Sequence, residues 1–190
     1  MHNRDLSRRH VVLGLGSLAA AVPLVGANAA PGTDDSGRLT DVWMNVELVG
    51  ADGRPLGVAE VAAPVLVVHL WASWCPACLG ELASLEDVAG RLGPAGVETL
   101  LVSHPKHWEA DQAFLKRNRV RLPAYTLAPE TSYEVRAAAF NVVGGSYAVP
   151  RTLVFAGRER RCVLAREGAQ DWRSAQTADS LRAWVRAASA

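Results

Sequence analysis

Cysteine is scarce in this chain, with three residues in 190, and so are methionine, with two, and aromatic side chains, at 6%. Three thiols are too few to staple a small scaffold, and an odd number leaves one over after any single bridge. Net charge is almost absent as well, 20 basic side chains standing against 19 acidic ones. Without a basic surplus or a basic run there is nothing to neutralise a phosphate backbone, so charge gives no reason to expect a nucleic-acid partner. Long membrane-spanning runs are missing too. The apolar stretch from Val11 to Gly26 is short and carries Gly14, Gly16 and Pro23, which argues against a permanent transmembrane helix. No internal repeat or low-complexity tract is visible.

What is present is the string WASWCPAC, Trp71 to Cys78. It follows a run, Ala63 to Trp71, rich in Val and Leu, which reads as a strand buried on both faces. Pro76 fits the first position of a helix, where its missing N–H has no partner to lose. Cys75 therefore falls at the helix N-cap, where unpaired backbone N–H groups and the positive end of the dipole stabilise a thiolate. Cys78, one turn on, can close a disulfide with it. This assigns Cys75 as the attacking, solvent-facing thiol and Cys78 as its buried resolving partner. The other reading of C-x-x-C is half a zinc site. Zinc wants four ligands, and beyond the pair only Cys162, His69, His104 and His107 are on offer, so no metal site is expected.

The first 29 residues read as a targeting segment. Ser7-Arg8-Arg9-His10-Val11-Val12 carries the paired arginines of a twin-arginine export signal, and Ala27-Asn28-Ala29 offers a cleavage site. Removing Arg4, Arg8, Arg9 and Asp5 leaves 17 basic and 18 acidic side chains, a net charge of −1. The expected compartment is the periplasm, with no stable membrane insertion of the mature form.

Residues 30–40, rich in Gly, Asp, Ser and Thr, read as a flexible lead-in, and 41–190 as one domain. Met44 to Val49 alternates like a strand, and Asp52-Gly53 turns it into an N-terminal hairpin through Pro55 to Val58. After the redox strand, a helix with Leu82, Leu85, Ala89 and Leu92 on one face stops at Gly93-Pro94. Val97 to Ser103 is the next strand, parallel to the first. Helix follows from Trp108 to Asn118, a short strand from Tyr125 to Leu127, and helix again from Ser132 to Phe140. A Gly-rich loop covers Asn141 to Pro150. Strands Thr152 to Phe155 and Arg161 to Ala165 then pair through Ala156-Gly157, and a helix from Ala178 to Ala188 closes the chain. This order predicts an α/β fold, a central mixed sheet flanked by helices.

These residues resemble the TlpA/ResA-like branch of the thioredoxin superfamily, periplasmic thiol-disulfide oxidoreductases. Three separated features carry the likeness: the strand with WASWCPAC, Glu81, and VPRTLVF at Val149 to Phe155. The resemblance implies a thioredoxin-like fold and a cis-Pro150 packed against a Cys75–Cys78 disulfide. Val149 would then offer its carbonyl and N–H to an incoming peptide. It also implies a proton-exchanging role for Glu81, which is otherwise an ordinary solvated helix residue. His69 stands on the redox strand where this branch commonly has Asn; it is either a proton shuttle or a core imidazole satisfied by its neighbours. Trp74 and Pro76 flank Cys75 and are assigned to substrate contact with Val149 and Arg151. Arg151 replaces a small polar residue and is either a cation beside the dithiol that selects acidic partners or an exposed side chain without function. His104 and His107 read as loop histidines, with metal contact the minority reading, and Cys162 as a buried structural thiol.

The implied activity is protein-disulfide reduction by the Cys75/Cys78 dithiol, with no cofactor beyond that disulfide. Its partners would be protein disulfides and thiols and a membrane thiol-electron donor, in cytochrome c maturation or copper-site assembly. A Cu(I)-binding assembly factor on the same fold is the alternative, and a thiol peroxidase, lacking its expected cysteine context, ranks last.

Overall fold

The computed structural model describes residues 36–141 and 147–189. The targeting segment and half of the Gly-rich loop read from the sequence, residues 142–146, lie outside these residues. Among the described residues the architecture grows outward from one strand, β3 (Val65–Trp71), every residue of which is buried. Branched and long apolar side chains on both of its faces allow this, because helices cover the sheet on both sides. β4 (Val97–Ser103) pairs with β3 in parallel and β6 (Arg151–Ala156) pairs with its other edge antiparallel. β5 (Ala124–Leu127) extends the sheet beside β4, and the hairpin of β1 (Glu47–Gly50) and β2 (Pro55–Gly57) completes that side. β7 (Arg161–Glu167) closes the other, giving the order β2-β1-β5-β4-β3-β6-β7. The mixed sheet and the hairpin agree with the sequence reading.

Alternation along β3 sorts the core into two layers. Val65, Val67 and Trp71 face α2 (Pro76–Leu92), whose Leu82, Leu85, Val88 and Leu92 pack there with Leu115 of α3 (Trp108–Asn118) and Leu181 of α5 (Ala175–Ala188). Leu66, Val68 and Leu70 face the other way, toward Phe140 of α4 (Tyr133–Phe140) and Leu39 and Trp43 of α1 (Ser36–Met44). The two parallel crossovers, β3 to β4 and β4 to β5, step in the same direction across the sheet. Right-handed connections therefore lay α2 and α3 on one face.

α1 corrects the sequence reading. Residues 36–40, assigned to a flexible lead-in, are helical, and the strand expected from Met44 starts at Glu47. Local composition favours a loop, but Leu39 and Trp43 lie one turn apart, and burial of Trp43 against Phe155, ring centroids 6.0 Å apart, decides the outcome. Packing of one apolar face, rather than propensity, supplies most of the stability of such a short helix.

Candidate active site

The site is built where β3 hands over to α2. Cys75 takes the N-cap with extended backbone angles, φ −96° and ψ 103°, and Pro76 follows at the first helical position. The Cys78 N–H donates to Cys75 Sγ at 3.1 Å, and the two residues form a disulfide. The same N–H would stabilise a Cys75 thiolate after reduction. The loop ahead of the helix is pinned twice: the Cys75 N–H donates to the Ala72 carbonyl at 3.1 Å, and the Ser73 N–H to Asp111 Oδ1 at 2.7 Å. Asp111 is fully buried on α3. In this disulfide form Cys75 is not open to solvent as the sequence reading assigned: it is 4% exposed and Cys78 0%. The order of exposure is as assigned, and the neighbouring ring of Trp74, 52% exposed, is the accessible surface.

His69 and Glu81 meet between β3 and α2. Its odd position on β3 turns His69 to the α2 layer, and Glu81, one turn beyond Cys78, faces the same layer. His69 Nε2 lies 3.9 Å from Glu81 Oε2. His69 Nδ1 is 3.2 Å from the Thr152 hydroxyl, its cross-strand partner on β6. Glu81 Oε1 accepts from the Gln170 N–H and the Trp172 indole N–H, each at 2.7 Å. Burial pushes Glu81 above the usual carboxylate range, against the lowering pull of those two hydrogen bonds. Burial pushes His69 down to about 3. An imidazole so reluctant to take a proton is the weaker base of the two, so Glu81 is the better match to a thiol.

On the β6 side the Val149–Pro150 bond is cis. Val149 packs against the layer that holds Cys75 and Cys78. Its N–H, expected to be offered to a peptide, is already donated to the Tyr147 carbonyl at 3.1 Å. The Pro150 carbonyl accepts from the Gly168 N–H at 2.9 Å, which ties this strand start to the loop carrying Gln170 and Trp172. Arg151 also departs from both of its readings. It is buried, and Nη1 donates to the carbonyls of Ala138 and Ala139 at 3.0 and 2.9 Å, closing the last turn of α4 as cations do at helix C-termini.

His104 and His107 join an aromatic group beside Trp74. Trp74 and His107 stand edge to face with centroids 5.8 Å apart, and His104 lies 4.1 Å from Tyr147. Burial, then the charges of His107, Arg136 and Lys106, push His104 down to about 4. Among the described residues no group of three His, Cys, Asp or Glu is placed to hold a metal. Cys162 is buried in the opposite layer, among Trp43, Phe155 and Leu153. Sequence reasoning missed Trp172, Asp111, Thr152 and Tyr147. None of these had a local signal: Thr152 faces His69 only through the pairing of β3 with β6, strands 83 positions apart at this contact.

Comparison with known proteins places these features in a wider set. A crystal structure of a thioredoxin-family thiol:disulfide interchange protein from Chlorobium tepidum superposes with a TM-score of 0.57 at 17% identity, covering 72% of this chain and 92% of that one. The exposed lipoprotein thioredoxin of Streptococcus pneumoniae superposes with a TM-score of 0.55 at 24% identity, over 71% and 98% of the two chains. These likenesses show a thioredoxin-like fold. A curated but uncharacterized protein of Haemophilus influenzae is 29% identical over 63 residues, 33% of this chain and only 40% of that relative. No described helix is long and apolar enough to cross a membrane. The AhpC/TSA family model matches residues 39–158, from α1 through the cysteine pair, Glu81 and cis-Pro150 to the end of β6, and the chain therefore belongs to the AhpC/TSA family.

Proposed function

We propose that the protein is a thiol-disulfide oxidoreductase that reduces disulfides of other proteins, exported to the periplasm by its twin-arginine segment. The observation that carries this reading is the Cys75–Cys78 disulfide at a helix N-terminus with a buried carboxylate one turn beyond it. In the reduced enzyme the Cys75 thiolate attacks a partner disulfide. One S–S bond breaks, a mixed disulfide forms, and the first partner sulfur leaves as a thiolate. Glu81, as carboxylate, takes the proton of Cys78. The Cys78 thiolate then attacks Cys75 Sγ, the second partner sulfur leaves, and the Cys75–Cys78 disulfide is restored. Two electrons have passed to the partner, and a membrane thiol donor returns them. A disulfide of apocytochrome c or of a copper-site assembly protein suits this role. Trp74 and the Val149–Pro150 segment would receive the partner chain, with Pro76 shaping the approach.

Trapping tests the reading. The Cys78→Ser protein, exported and recovered under acid quench, should carry a partner protein on Cys75, identified by mass spectrometry. The wild type should reduce insulin with dithiothreitol as donor. Hydroperoxide consumption that outpaces disulfide reduction would assign the site to peroxide chemistry instead.

A further inference from the structure

Glu81 is held by one oxygen only. Oε1 receives the Gln170 N–H and the Trp172 indole N–H, both at 2.7 Å, and both groups donate and cannot accept. Oε2 is buried with no hydrogen-bond partner among the described residues, and so is His69 Nε2, the atom 3.9 Å away. We propose that Trp172 is a positioning residue for the Cys78 proton: with the Gln170 N–H it occupies Oε1 and leaves Oε2 as the one oxygen on which Glu81 can carry a proton. The inference rests on the reductase reading for its purpose, though not for its geometry.

The chemistry follows from counting lone pairs. In the protonated acid the oxygen facing two donors must be the carbonyl, whose two lone pairs match them; a hydroxyl there would set its hydrogen against an N–H. The O–H is therefore on Oε2, toward His69. In the ionised acid the same two donors become charge-assisted bonds that favour the carboxylate. His69 is held across the sheet by Thr152 and needs a shift of about 1 Å to meet Oε2 at hydrogen-bond distance.

Trp172 is itself fixed, at 3% exposure, within the layer that holds both cysteines, and its ring stands edge-on to His69 with centroids 6.3 Å apart. Its loop starts at Gly168, whose φ of +80° suits glycine and whose N–H is bound to the Pro150 carbonyl. The acid is thereby coupled to the segment on which a partner chain would rest. The ionisable neighbours of Glu81 are His69 on β3 and the cysteine pair on α2. The loop adds none to the interior, since Asp171 and Arg173 on either side of Trp172 are exposed.

Trp172→Phe keeps an aromatic ring, smaller than the indole, and deletes the donor, so proton affinity at Glu81 should rise about tenfold, moving its titration midpoint up by about 1 pH unit. The measurement is a carbon-13 NMR titration of the Glu81 carboxyl in the reduced protein, assigned by its loss in Glu81→Gln. The pH profile of mixed-disulfide resolution should move by the same amount in Trp172→Phe and not in Trp172→Phe/Glu81→Gln. If Trp172→Phe does not fold, the infrared carbonyl stretch of protonated Glu81 in the wild type decides: a frequency lowered by two donors supports the clamp, and a free-acid frequency overturns it. An unchanged Glu81 midpoint in folded Trp172→Phe also overturns it. Failure of the wild type to reduce insulin would overturn the reductase reading, and the NMR titration would still report on the clamp.

Discussion

Cys75 and Cys162 are almost equally hidden, 4% and 6% exposed, and lie in opposite layers of one sheet. Their surroundings differ in every respect that matters to a thiol. Cys75 sits on the N-terminus of a long helix with a backbone N–H aimed at its sulfur, a partner cysteine, and an acid one turn beyond that partner. Cys162 lies at the start of β7, its N–H bound to the Thr40 hydroxyl and its sulfur 3.5 Å from the Leu164 carbonyl, which can only accept. The layers repeat the contrast: the Cys75 layer holds the titratable His69, Glu81 and Asp111 with orphaned buried atoms, while in the Cys162 layer the orphan is the Trp43 indole nitrogen and the buried cation, Arg151, is bonded to α4 carbonyls. Burial alone therefore does not set reactivity. Donors and a nearby proton acceptor do.

The most direct challenge to this contrast is to remove the sulfur proposed to attack. Cys75→Ala should abolish insulin reduction to the background of dithiothreitol alone, with the circular dichroism spectrum retained. Residual turnover above that background would transfer the attack to another thiol.

Next in size is an effect of acid on stability. Folded His69 is pushed down to about 3 against an ordinary 6.5. Between those values the unfolded chain binds the proton and the folded chain does not, so stability falls as pH falls through this window. The full loss is roughly 4–5 kcal/mol. Glu81 works with the opposite sign. Its raised folded pKa gives stability that is present below its ordinary 4.5 and lost as pH rises through the folded value. Urea unfolding from pH 7 to 3.5 separates the two groups when His69→Asn is made both in the wild type and in Glu81→Gln. In each case His69→Asn should lose less stability on acidification than the protein it was made in. Equal losses would mean that His69 binds its proton as readily in the fold as in the unfolded chain.

Glu81→Gln should slow mixed-disulfide resolution by about 10²-fold, or about 2.7 kcal/mol, while the initial attack by Cys75 keeps its rate. Stopped-flow separation of the two steps checks it. Equal slowing of both would make Glu81 a structural support of the helix start and not a proton acceptor.

Which of these features could be read from the sequence depended on how local their causes were. β4 and α3 agree with their sequence ranges to the residue, and the α2 start follows from Cys75-Pro76, because strand patterning, proline at a helix start and Gly93-Pro94 at its end act within a few residues. Glu81 and His69 were singled out through the family resemblance, by their distances from Cys75; the helix pattern alone read Glu81 as solvated, whereas it is buried. α1 was misread because its reason, the seat of Trp43 on Phe155, lies over a hundred positions away. Trp172 and Asp111 were out of reach for the same reason: each is brought to the site by a loop or helix that no spacing rule connects to the cysteines. Arg151 was misread from its neighbour in sequence, when its partners are the carbonyls at the end of α4.

A change at Cys162 should do least, and for that reason it probes the two thiols most closely. Cys162→Ser keeps a donor for the Leu164 carbonyl and the backbone bond to Thr40, and replaces a weakly polar sulfur by a hydroxyl in an apolar layer. Desolvation of that hydroxyl, offset by its hydrogen bond, should cost about 1 kcal/mol and lower Tm by a few degrees. Insulin reduction per folded molecule should stay within about twofold of wild type, since Cys162 itself lies in the layer opposite Cys75 and Cys78. Loss of turnover in a folded Cys162→Ser protein would mean that the two layers communicate, and the contrast between the two buried thiols would have to be abandoned.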